Sequence, residues 1–101
     1  MTLKNLRLPQ PLLEFIEAAK RRLLDETDTE RVESEVQLVW TDMVWPSYTS
    51  ITFYAYGSSG DERINRCIQI EQELNDAKPE SLFDSIPAPF LCVECTIQYE
   101  A

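Results

Sequence analysis

The chain reads as an α+β domain of order α-β-β-α-β, a three-stranded mixed or antiparallel sheet with two helices packed on one face. Three observations predict this. Apolar residues recur at helical spacing over 12–23 and again over 64–74. Between and after those stretches the pattern switches to alternation, the mark of half-buried strands. The chain is 101 residues long with only two Gly, which makes one domain spanning 1–101 without long flexible linkers. A globule of this size buries roughly 65% of its unfolded surface, enough for an independent core.

The first helix follows Pro11, a residue suited to a first helical position. Leu12, Phe15, Ile16, Ala19 and Leu23 form its apolar stripe. Glu14 and Glu17 come early and Lys20, Arg21 and Arg22 late, so the basic cluster is expected to cap the helix end and complement its dipole. Residues 25–30 are a polar, acidic connection. In the next segment Val32, Ser34, Val36, Leu38 and Trp40 share one face and Glu33, Glu35, Gln37 and Val39 the other. Met43 to Ser47, with Trp45-Pro46, reads as a turn. A second strand runs from Tyr48 to Tyr56, with Ile51, Phe53 and Ala55 on one side and Tyr48, Ser50, Thr52, Tyr54 and Tyr56 on the other. The short connection predicts an antiparallel hairpin.

Gly57 to Gly60 is a break, and Ser59 followed by Glu62 matches a capping box. A second helix is expected to about Ala77, burying Ile64, Cys67, Ile68 and Leu74 with Ile70 beside them, and Lys78-Pro79 stops it. Leu82, Phe83 and Ile86 are expected to pack as a short turn or helix under the sheet. Pro87 and Pro89 precede the last strand, where Leu91, Val93, Cys95, Ile97 and Tyr99 share a face. The stretch 48–99 is long enough for a βαβ crossover. Both helices then cover the face of Val36, Leu38, Ile51, Phe53, Val93 and Ile97. The other face, with Glu33, Glu35, Val39, Tyr48, Thr52, Tyr54, Tyr56, Cys92, Glu94 and Gln98, is left to solvent or to an interface.

Charge is distributed unevenly. Residues 1–23 carry five basic and two acidic side chains, and residues 24–101 carry four basic and sixteen acidic, a net of −12 in the body within an overall −9. Nucleic acid and anionic membrane both require clustered Lys and Arg, so neither is expected as a direct ligand. Acidity also serves solubility alone. No apolar run approaches the roughly 20 residues of a membrane span, and the N-terminus lacks a signal-peptide core. Three cysteines cannot all pair within one chain, which points to a reducing cytoplasm.

Candidate chemistry is sparse. Cys92 and Cys95 form a C-x-x-C, but residues three apart on a strand point to opposite faces, and the chain has no His and only Cys67 as a further thiol. Asp25, Glu26, Asp28 and Glu30 offer oxygens to a divalent cation, without the glycine and spacing of an EF-hand. Gly57-Ser58-Ser59-Gly60 precedes a helix as phosphate-binding loops do, but Asp61 and Glu62 follow at once and repel phosphate. Without His there is no general base of the commonest type. No catalysis and no cofactor are expected.

What remains is an array of carboxylates. Glu33 and Glu35 lie about 6.8 Å apart along a strand, close to two phosphate steps of one DNA strand. Glu94 on a neighbouring strand extends that row. Glu71, Glu73 and Asp76, followed by Glu80 and Asp84, add a second acidic stretch. Tyr54 and Tyr56 supply aromatic anchors of the kind enriched at interfaces. The general character, small, acidic, cytosolic and without catalytic residues, resembles that of phage counter-defence (anti-CRISPR-like) and toxin-immunity proteins. The resemblance is one of type and assigns no positions. The expected function is a non-catalytic inhibitor of a basic partner protein, one that handles nucleic acid, by nucleic-acid mimicry. The expected partner-binding residues are Glu33, Glu35, Tyr54, Tyr56, Glu71, Glu73, Asp76 and Glu94. Two alternatives stay open: a homodimeric interaction domain using the Tyr-rich sheet face, and a weak divalent-cation binder.

Overall fold

The structure is a computed structural model that describes residues 10–40, 46–58, 60–79, 82 and 91–99. Helix α1 spans Gln10–Glu26, strand β1 Arg31–Trp40, strand β2 Pro46–Gly57, helix α2 Asp61–Asp76 and strand β3 Leu91–Tyr99. The strands lie in the order β1-β2-β3, with β1 and β2 antiparallel and β2 and β3 parallel, so the sheet is mixed. The parallel pairing follows from the α2 crossover between β2 and β3. α1 packs on β1 and α2 on β3, and the two helices touch each other. The anticipated turn around Trp45 and the residues Phe83 and Ile86 lie outside the described residues, and Leu82 is fully buried.

The core sits between the helices and one sheet face. All five apolar stripe residues of α1 are buried, as are Val36, Ile51, Phe53, Ala55, Leu91 and Val93, with Val32, Cys95 and Ile97 packed against them. Removing each large side chain from water contributes about 1.5–3 kcal/mol. That burial fixes the strand register, because a one-residue slip would turn every core residue of a strand outward.

The helix ends differ from the expectation. α1 continues through Asp25 and Glu26, so Lys20, Arg21 and Arg22 lie a turn before its end and its last turn holds no basic residue. The termini are satisfied another way. The Thr27 hydroxyl donates to the Leu23 carbonyl, and Arg22 and Arg66 both pair with Glu26. At α2 the N-cap is Gly60, and among the described residues no side chain caps the helix; Ser59 lies outside them. Asp61 and Glu62 in the first turn face the positive end of the dipole instead.

The buried stripe of α2 is also rotated from its anticipated position. It consists of Arg63, Cys67, Ile70 and Leu74, while Ile64 is half-buried and Ile68 is 45% exposed. The cause is Arg63, which is only 4% exposed. Its Nε donates to the Ser58 carbonyl at 2.7 Å, Nη1 to the Ala55 carbonyl at 3.1 Å and to Thr29 Oγ1 at 3.3 Å, and Nη2 to the Gln98 carbonyl at 2.9 Å. Thr29 is in turn hydrogen-bonded to Thr27, which reaches the end of α1. One guanidinium thus joins the ends of β2 and β3 to the α1–β1 connection. Gly57 makes room for it: a Cβ there would lie 3.0 Å from the Asp28 carbonyl oxygen and 3.3 Å from Arg63 Cζ.

A second polar cluster clamps the helices from outside. Arg22 bonds Glu26 at 2.9 Å and Glu73 at 3.1 Å; Arg66 pairs with the same two carboxylates, at 3.8 Å for Glu73. The hydrogen bond from Arg22, with the charges of Arg22 and Arg66, holds the Glu26 carboxyl below its ordinary value.

Two outcomes follow. Arg63→Met leaves four acceptors without their donor and is expected to lower unfolding free energy by about 3–5 kcal/mol in urea denaturation, with Arg63→Lys also destabilised because an ammonium cannot span the same acceptors. For Glu26, a lowered folded pKa means a contribution present above about pH 4.5 and lost as pH falls through the folded value. Glu26→Gln is therefore expected to flatten the acid limb of a plot of urea midpoint against pH, and an unchanged slope counts against the clamp.

Candidate functional site

The helices leave one sheet face uncovered, and the register places its side chains on a grid. Read across β1, β2 and β3, the rows are Arg31–Tyr56–Gln98, Glu33–Tyr54–Thr96, Glu35–Thr52–Glu94 and Gln37–Ser50–Cys92. Five of the eight anticipated site residues, Glu33, Glu35, Tyr54, Tyr56 and Glu94, share this face. Glu94 does not extend the Glu33–Glu35 line. It lies across the sheet from Glu35 with Thr52 between them, about 9.5 Å away at two strand spacings. The three carboxylates form a corner rather than a row.

Glu33 accepts a hydrogen bond from the Tyr56 hydroxyl at 3.2 Å, and the Arg31 guanidinium lies 4.2 Å from the Tyr56 ring centroid. Partial burial, then the Glu33 charge, raises the Tyr56 phenol above its ordinary value, so it stays a neutral donor at physiological pH. Arg31 and Thr96 are residues of this face that sequence reasoning passed over; the place of Arg31 beside Tyr56 depends on the β1–β2 register. Among the described residues, neither Glu35 nor Glu94 has an ion-pair partner. A surface depression of about 410 Å³ runs along this part of β1, lined by Lys20, Val32, Glu33, Ser34, Glu35, Tyr54 and Tyr56.

The other three anticipated residues lie on α2, in the helix layer. Glu73 belongs to the Arg22–Arg66 clamp. Glu71 Oε1 accepts the Cys95 amide at 2.7 Å. Asp76 is exposed at the helix end. The structure therefore does not bring the two acidic groups together. Glu80 and Asp84 lie outside the described residues.

The residues of the 25–30 segment are not gathered either. Asp25 and Glu26 are helical and Glu26 is held by two arginines. Among the described residues no group of three His, Cys, Asp or Glu side chains is placed to hold a metal ion, and no helix is long and apolar enough to cross a membrane. The C-x-x-C thiols divide as strand parity requires: Cys92 is exposed on the open face and Cys95 is partly buried on the core side, with Cys67 buried in α2. Burial, with the Glu71 charge adding to it, pushes the Cys95 thiol up to about 12.

Such a thiol is protonated and unreactive at neutral pH. In the native protein a disulfide reagent such as Ellman's is expected to modify Cys92 rapidly, with Cys67 and Cys95 following only on unfolding. Rapid reaction of all three would contradict this arrangement.

No family model matches the chain, and no curated protein matches it. The fold is similar to that in the crystal structure of a hypothetical protein from Aquifex aeolicus VF5, with a TM-score of 0.58 at 13% sequence identity over 97% of this chain and 78% of that one. At that identity the likeness is one of fold alone.

Proposed function

We propose that this protein is a non-catalytic acidic binding protein that neutralises a basic partner through the open face of its sheet. The observation that supports it most is the placing of Glu33, Glu35 and Glu94 on one uncovered face beside Tyr54 and Tyr56, with Glu35 and Glu94 free of ion pairs among the described residues. The sheet fixes the Cα positions from which these carboxylates project, so their spacing is set before Lys or Arg docks. The tyrosines contribute apolar area with a polar tip. The Glu33–Glu35 spacing of about 6.8 Å is close to two phosphate steps along a DNA strand, which supports a nucleic-acid-handling protein as the partner class and mimicry of the acidic strand as the mode. Three free thiols fit a reducing cytoplasm.

The open face carries Glu33, Glu35 and Glu94 against Arg31, so a face-to-face homodimer would bring together two faces of the same sign. The same charges attract a partner of opposite sign and speed the encounter. Glu71 and Glu73, held by Cys95 and by Arg22 with Arg66, are assigned to the fold rather than to this interface.

The test is capture from cell lysate at about 50 mM salt with stepwise salt elution, comparing the native chain with a Glu33→Gln, Glu35→Gln, Glu94→Gln variant. A basic nucleic-acid-handling protein eluting at moderate salt, lost from the variant and displaced by duplex DNA, is the expected result. Capture that ignores both salt and the triple variant would sink the proposal.

A further inference from the structure

The two edges of the sheet are not equivalent. β3 is covered by α2 at Val93 and Cys95: the Asn75 side-chain amide donates to the Val93 carbonyl at 2.9 Å and accepts the Val93 amide at 3.0 Å, and Glu71 accepts the Cys95 amide. Asn75 and Glu71 therefore occupy the positions an additional strand would take.

The same bonds fix what β1 presents. Val93 and Cys95 turn their main-chain groups toward α2, so the alternation along a strand sends those of Cys92, Glu94 and Thr96 toward β2. The parallel register then turns Ser50, Thr52 and Tyr54 toward β1, where they meet Gln37, Glu35 and Glu33. What β1 directs outward is the main chain of Val32, Ser34 and Val36. Among the described residues, nothing accepts or donates a hydrogen bond to Val32 or Ser34 on that side. The 410 Å³ depression is lined by this stretch, Val32 to Glu35, with Lys20 of α1 on the helix side and Tyr54 and Tyr56 on the open side.

We infer that the β1 edge at Val32–Glu35 takes an extended segment of a basic partner as a fourth strand. The inference rests on the proposal that the partner is basic, and it names how that partner binds. Main-chain bonds to Val32 and Ser34 give affinity, and alternate side chains give specificity. Partner residues opposite Glu33 and Glu35 lie on the open face and must be Lys or Arg. Those opposite Val32 and Ser34 lie on the helix side near Lys20 and must be small and uncharged. The recognised pattern is thus an alternating basic strand. Pairing of two copies centred on Ser34 sets Glu33 against Glu35 twice, and pairing centred on Glu33 sets that residue against itself, both unfavourable; a register centred on Val32, which sets Arg31 against Glu33, is tested by the concentration dependence below.

The probe is a capped peptide Thr-Lys-Thr-Lys-Thr-Lys-Thr, with a counterpart N-methylated on the threonine amides that would face β1. Binding at about 20 mM salt is followed by NMR, together with amide hydrogen exchange at Val32 and Ser34. The expected result is exchange slowed at both residues by about tenfold or more on peptide addition, and affinity reduced by about tenfold or more on N-methylation. Equal binding of both peptides, with Val32 and Ser34 unprotected, overturns strand addition and leaves the basic-partner proposal standing. Failure of both peptides to bind overturns the two together. Protection at Val32 and Ser34 that grows with protein concentration, without peptide, gives the edge to a second copy and overturns the inference.

Discussion

A guanidinium can be buried without a carboxylate only where enough oppositely polarised oxygens converge on it. Arg63 meets that condition with three main-chain carbonyls and one hydroxyl. Two of those acceptors, on Ala55 and Ser58, are close to Arg63 in sequence, but Thr29 and Gln98 lie 34 and 35 residues away and join them only once the sheet has formed. The rest of the fold depends on this convergence. It sets the roll of α2, placing Cys67, Ile70 and Leu74 inward and Ile68 outward. It also explains Gly57, where a side chain would crowd both the guanidinium and the Asp28 carbonyl.

Around that centre the molecule separates its charges by layer. In the helix layer, carboxylates are consumed by structure: Glu26 and Glu73 clamp α1 to α2 through Arg22 and Arg66, and Glu71 ties α2 to β3. Each of them already has a partner within the fold. On the open face, Glu35 and Glu94 have no such duty among the described residues, and Glu33 serves only as acceptor to Tyr56. A surface charge without a structural role is one available to a partner, which is why the open face and not the larger acidic count of α2 supports the function proposed.

Much of this fold was legible in the sequence because it depends on period. The stripe of Leu12, Phe15, Ile16, Ala19 and Leu23 and the alternation about Val36, Ile51 and Val93 report burial directly. Parity alone placed Glu33, Glu35, Tyr54, Tyr56 and Glu94 on one face and separated Cys92 from Cys95. Register is a different quantity. Which β2 residue faces Glu94 is set by packing across the sheet, so the corner formed with Glu35 had no local signal. Arg63 was hidden for another reason: the rule that arginine faces water assigns the stripe to Ile64 and Ile68. The spacing 63, 67, 70, 74 is equally helical, and a glycine at 57 that leaves space was the one hint. The roles of Glu71 and Asn75 were likewise invisible, since their partners lie 18 to 24 residues away on β3.

The Asn75 amide acts as a surrogate strand one residue long. Its consequence concerns growth. A sheet with two open edges can add copies or segments without limit, and the product is a filament. Here α2 covers one edge at Val93 and Cys95, so addition is directed to the other. A second copy joining β1 to β1 would close the assembly after one step, because each copy carries its covered β3 edge on the far side. A long, exposed, acidic edge strand can therefore remain adhesive toward a partner while the protein is kept from polymerising.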